Sequence, residues 1–143
     1  MIIATSAPKK WKIGAQLIKF YQKTEYSHIL IIDNDLVYQA SNGEVNCMHI
    51  DVFLEHNNII DVVEVADHLV DMSFVKKQLG KGYGFTQLIN IATRYLLGIK
   101  LFKNDGNQKF ICSELVGKAL HLEWVNDQTD PKQVFEYLKN GNS

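Results

Sequence analysis

SHILIIDNDLVYQASNGEVNCMHI, residues 27–50, is the stretch of this 143-residue chain whose reading decides the fold. Apolar and β-branched residues come in short runs, separated by Asn34-Asp35 and Asn42-Gly43, two dipeptides suited to tight reversals. The runs predict an antiparallel meander of three strands, Ser27 to Asp33, Leu36 to Ser41 and Glu44 to Ile50. A two-residue turn at Asn34-Asp35 pairs Asp33 with Leu36, Leu30 with Gln39 and His28 with Ser41. His28, Leu30, Gln39 and Ser41 then share a face, and Gln39 becomes a diagonal neighbour of His28, within reach of a long side chain. A four-residue loop keeps this parity, whereas a three-residue loop turns Gln39 to the opposite face.

Upstream, Ile2 to Ala4 reads as a short strand, and Ser6 with Pro8 suits the cap and first turn of a helix over about residues 9–23. Trp11, Ala15, Leu17, Ile18 and Tyr21 recur there at mainly helical spacing. Downstream, Ile59 to Val65 reads as a further strand after a short polar link. The second half reads as helical: Met72 to Leu79, Phe85 to Leu97, and a segment from Cys112 to about Leu120 with Leu115, Val116, Ala119 and Leu120 as its apolar flank. Asp130 and Pro131 form a cap and first-turn pair for a last short helix with Val134, Phe135 and Leu138 inward. No repeat, low-complexity tract or linker interrupts the chain, so a single α+β domain over residues 1–143 is expected.

The chain carries 15 basic and 16 acidic side chains, a net charge of -1, with its lysines scattered. That distribution offers no electrostatic footprint for nucleic acid or anionic membrane. The apolar start is cut short by Pro8, Lys9 and Lys10, too early for a signal-peptide core, so a cytoplasmic location is expected. Leu88 to Phe102 is interrupted by Asn90, Arg94, Gly98 and Lys100, short of a membrane span, so stable membrane insertion is not expected. Cys47 and Cys112 are expected as free thiols. Cys47 and His49 share a strand face without a second pair of ligands at suitable spacing, so neither a metal nor another cofactor is expected.

Cys112 stands where a loop turns into a helix, in Lys109-Phe110-Ile111-Cys112-Ser113-Glu114-Leu115-Val116. A cysteine in that position is most often just a small buried residue. It is also where the helix dipole and unpaired first-turn amides favour thiolate and can stabilise an oxyanion. A cysteine hydrolase needs that thiolate, a histidine to exchange protons with it, and a third group to orient the imidazole. Cys112, His28 and Gln39 are the candidates for those roles. A neutral glutamine would hold the ring without adding charge.

Several pieces occur in order along the chain: Tyr26-Ser27-His28-Ile29-Leu30-Ile31, Val37-Tyr38-Gln39-Ala40-Ser41 with Gly43-Glu44-Val45, Tyr83-Gly84-Phe85, Phe110-Ile111-Cys112-Ser113-Glu114-Leu115, and Thr129-Asp130-Pro131. Together they resemble the permuted papain-like hydrolases of the NlpC/P60 superfamily, especially the group named after the bacterial protein YiiX, in which the histidine precedes the cysteine. The resemblance implies a papain-like antiparallel sheet or half-barrel packed against helices, with Cys112 at a helix N-terminus facing His28. It also implies a cysteine peptidase or amidase that cleaves a peptide or cell-wall-type amide through an acyl-enzyme. Gln39 departs from the pattern, since related proteins often have glutamate there. Ser27, Tyr83 and Ser113, within these pieces, are the substrate-binding candidates, although Tyr83 also suits a core and Ser113 a helix's first turn.

Two other readings use the same residues. One is a lipid or ester acyl hydrolase or acyltransferase, as in the related lecithin:retinol acyltransferase-like proteins. The other is a binding module of little or no activity, virion-associated or envelope-delivered if the source is a phage.

Overall fold

The computed structural model describes residues 1–9, 28–41, 44–81, 112–126 and 129–141. Its strands are β1 (Ile2–Pro8), β2 (His28–Asp33), β3 (Leu36–Ser41), β4 (Glu44–His49) and β5 (Asn57–Glu64). The helices among the described residues are α1 (Ile50–His56), α2 (Met72–Gln78), α3 (Cys112–Ala119) and α4 (Pro131–Lys139), with a 3-10 turn at Asp67–Leu69. The five strands form one antiparallel open sheet in the order β4-β3-β2-β1-β5, so the fold is α+β.

The predicted meander is the β2-β3-β4 half of this sheet, and Asp33 pairs with Leu36 across the two-residue turn. Asn34 takes the positive φ, 52°, that such a turn requires and that asparagine tolerates. β2 is buried through its four middle residues, because helices cover one face and α1 the other. That double cover explains its unbroken Ile29-Leu30-Ile31-Ile32 run, where a half-exposed strand would alternate. β5, at the sheet edge, does alternate between half-buried and exposed positions.

Two expectations are corrected. Ser6 and Pro8 do not cap a helix; both belong to β1, which runs to Pro8 with Ala4 through Ala7 buried between β2 and β5. Pro8 sits at the strand's last position, where its missing N–H costs least. The polar link before β5 is helix α1, which Phe53 pins to the sheet beside Leu30, Ile32 and Val37. The helices expected over residues 9–23 and 85–97 fall outside the described residues, apart from Lys9.

The opposite face carries the larger core. Ile3, Ile29, Ile31 and Tyr38 of the sheet pack there against Cys112 and Val116 of α3, Val75 of α2, and Val134, Phe135 and Leu138 of α4. The expected inward residues of the last helix are therefore the buried ones. Asp130 begins that helix with a reciprocal capping box, accepting from the Gln133 amide at 2.9 Å while the Gln133 side chain accepts from the Asp130 amide at 3.0 Å.

Candidate functional site

His28 is the first residue of β2 and half-buried, while Gln39 is buried in the middle of β3. Their side chains meet with His28 Nε2 2.8 Å from Gln39 Oε1. An amide oxygen only accepts, so Nε2 is the donor in this pair. The Gln39 amide nitrogen points to Met48 Sδ at 4.0 Å, a weak bond that adds little to its placement.

The sheet opens at the same point. Pairing of β2 with β3 runs Asp33 to Leu36, Ile32 to Val37 and Ile31 to Tyr38, and stops there. In a two-residue hairpin the closing residues exchange hydrogen bonds, and every second amide points to the same neighbour. Asp33, Ile31 and Ile29 thus all turn towards β3, but Ile29 lies beyond the last paired position. Its amide donates to the Cys112 thiol instead.

Cys112 is the first residue of α3 and only 4% exposed. Burial pushes its thiol up to about 11, while the amides of Ile29, Ser113 and Cys112 itself act in the opposite direction. Desolvation wins over the helix-terminus effect here, and the resting group at neutral pH is a thiol. α3 lies on the face of Ile29 and Ile31, whereas strand alternation turns His28 to the face of Leu30 and Ile32. The sulfur meets β2 at backbone level, where β2 and β3 part.

The N-terminal end of α3 is held from behind. Ser113 is fully buried and its hydroxyl donates to the Thr129 carbonyl. Thr129 in turn accepts from the Asn126 amide at 2.9 Å and precedes the Asp130 cap. Ser113 is thereby committed to tying α3 to the start of α4. Glu114 pairs with Lys118 one turn along, at 2.8 Å.

Two polar residues beside the pair were not among the candidates for the site, and Ser6 was read as a helix cap instead. Ser6 on β1 lies directly opposite His28, and Asn46 on β4 directly opposite Gln39, so all four share a face. Asn46 donates to the Ser41 carbonyl at 3.2 Å, but its Oδ1 and the Ser6 Oγ are buried without a hydrogen-bond partner. No residue identity marks the Ile29 amide, because a backbone group has no letter of its own.

Ser27 and Tyr83 lie outside the described residues. Both cysteines are free. Cys47 is exposed and faces Tyr38 across the strands, and burial, followed by the Cys47 contact, raises the Tyr38 phenol. His49 accepts from the Asp51 amide at 3.3 Å as the cap of α1. Among the described residues, no three His, Cys, Asp or Glu side chains gather as a metal-binding group, and no helix is long and apolar enough to cross a membrane. No protein-family model and no curated protein matches the chain.

Proposed function

We propose that this chain is a cysteine hydrolase of the permuted papain-like kind, cleaving a peptide or cell-wall-type amide. One observation carries the reading: the amide of Ile29, the residue that follows His28 in β2, acts on the Cys112 thiol, while Gln39 Oε1 lies 2.8 Å from His28 Nε2. The parting of β2 from β3 supports an approach of thiol and imidazole that closed strands would block.

The residues support a two-step acyl transfer. Cys112 Sγ attacks the substrate carbonyl carbon while the thiol proton passes to His28 Nδ1, and the Cys112 amide donates to the developing oxyanion. Collapse breaks the C–N bond as the imidazolium returns its proton to the leaving amine. Water then attacks the thioester, giving a proton to His28, and the thiol recovers that proton as the acid is released. Because burial holds the resting group as a thiol, this proton transfer accompanies attack, and no preformed ion pair is required.

Iodoacetamide labelling of Cys112 at neutral pH, followed by mass spectrometry, tests the activated thiol. The wild type should label faster than His28→Ala; equal rates would remove His28 as the base. Incubation with p-nitrophenyl acetate should add one acetyl group to Cys112, and Cys112→Ala should add none there. The buried thiol, pushed up to about 11, favours a second reading, a binding module without turnover. An acetyl group trapped on Cys112 and then released by water eliminates it.

A further inference from the structure

Continued by two residues beyond Ile31 and Tyr38, the β2-β3 ladder would pair Ile29 with Ala40, and it does not. Helix α3 lies over that place: Cys112 packs in one core cluster with Ile29, and Leu115, one turn later, packs in another with Ala40. Ile29 and Ala40 are fully buried and Cys112 is 4% exposed. A buried amide needs an acceptor, and that of Ile29 takes the Cys112 sulfur where a regular ladder would offer a carbonyl. A neutral thiol is the weaker acceptor of the two, so the exchange disfavours the resting protein. It becomes favourable once the sulfur is charged, because a hydrogen bond to an ionised acceptor is roughly twice as strong.

We propose that the main-chain N–H of Ile29 is a catalytic group, a donor whose bond to Cys112 Sγ strengthens as negative charge develops on the sulfur. The inference rests on the hydrolase reading above. Charge builds on Sγ twice in that cycle. It does so first as the thiol proton leaves for the His28 imidazole during attack, and again as the thioester C–S bond breaks and its electron pair returns to sulfur. The amide keeps its own proton in both steps. A bond that is weak to the thiol and strong to the developing thiolate lowers the barrier instead of merely tightening the resting contact. A fixed backbone dipole in a water-excluded place also needs no reorganisation at that moment. Burial acts most strongly on this thiol, and of the three amides that oppose it, that of Ile29 acts most. It comes from the sheet, whereas those of Ser113 and Cys112 belong to the first turn of α3.

The test removes the amide without touching the side chain. A synthetic thioester of residues 1–46, with Ile29 replaced by the matching α-hydroxy acid, is ligated through the native Cys47 to a recombinant 47–143 fragment. The full chain then carries an ester in place of one N–H. An all-amide chain made the same way is the reference, and an ester at Ile31, whose amide faces Tyr38 within the ladder, is the control. Iodoacetamide labelling of Cys112 at neutral pH should be about tenfold slower in the Ile29 ester than in the reference, the loss expected for one hydrogen bond to a charged group. Release of an acetyl group from Cys112 should slow by a similar factor. The Ile31 ester should melt lower than the reference yet label at its rate. In the all-amide chain, the Ile29 amide proton followed by NMR should move downfield as pH is raised towards 11, and should stay in place in Cys112→Ala.

Equal labelling of the two esters, whether both fast or both slow, or an Ile29 amide proton that does not move in the wild type, would overturn the inference. Where the wild type still labels faster than His28→Ala and still turns over acetyl on Cys112, the hydrolase reading survives that result. A wild type that takes no acetyl group on Cys112 would remove the hydrolase reading, and this inference with it.

Discussion

The Gln39 carboxamide oxygen lies 2.8 Å from His28 Nε2, and this bond selects the imidazole tautomer. Gln39 reaches the ring because the β2-β3 hairpin turns in two residues, which keeps both side chains on one face. A glutamine in this role orients the ring without contributing a charge.

Replacing the glutamine separates orientation from charge. Gln39→Ala should slow iodoacetamide labelling of Cys112 roughly tenfold by releasing the ring. Gln39→Glu should raise the His28 pKa, since a carboxylate favours the imidazolium. A ring titration followed by NMR reads the second effect. An unshifted His28 in Gln39→Glu would show that residue 39 does not contact the ring in solution.

Cys112 makes stability fall at high pH. Its thiol is pushed up to about 11 from an ordinary value of 9.0, so between those values the unfolded chain has lost the proton that the folded chain retains. Stability from this group is fully present below about pH 9 and lost as pH rises towards 11, by roughly 3 kcal/mol for a shift of this size. Urea melts of wild type and Cys112→Ala at both ends of the window isolate it from other titrating groups. The wild type should lose more stability than the variant; parallel losses would mean that the thiol is not buried.

Gly117 lies in the middle of α3, where alanine would normally gain about 1 kcal/mol of helix propensity. A Cβ there would meet Val125 Cγ1 at 2.6 Å and Val125 Cβ at 2.8 Å, so a rotamer change alone does not relieve the clash. Gly117→Ala should therefore be destabilising by a net amount on the order of 1 kcal/mol, the overpacking cost exceeding the propensity gain. Thermal unfolding checks the sign, and a stabilised variant would show that the Val125 segment yields freely.

How much was legible in the sequence differs from element to element. α4 was legible because its signals are local: Asp130 and Pro131 start it, and Val134, Phe135 and Leu138 repeat at helical spacing. β1 was misread beyond Ala4, because Ser6 and Pro8 carry helix-start chemistry that burial between two strands overrides. α1 was missed because a two-turn helix offers one buried residue, Phe53, and no periodic pattern.

By itself the sequence determined what neighbouring residues decide between themselves. Asn34-Asp35 set the hairpin register, and the register brought Gln39 to His28, since strand parity follows from turn length. Only the tertiary structure placed β1 between β2 and β5, set Ser6 opposite His28, and carried the Cys112 sulfur to the Ile29 amide. Those contacts join segments far apart in the chain, and burial of the whole core selects them. The same burial decided the state of the thiol: a helix start alone favours thiolate, and removal from water returned Cys112 to the protonated form.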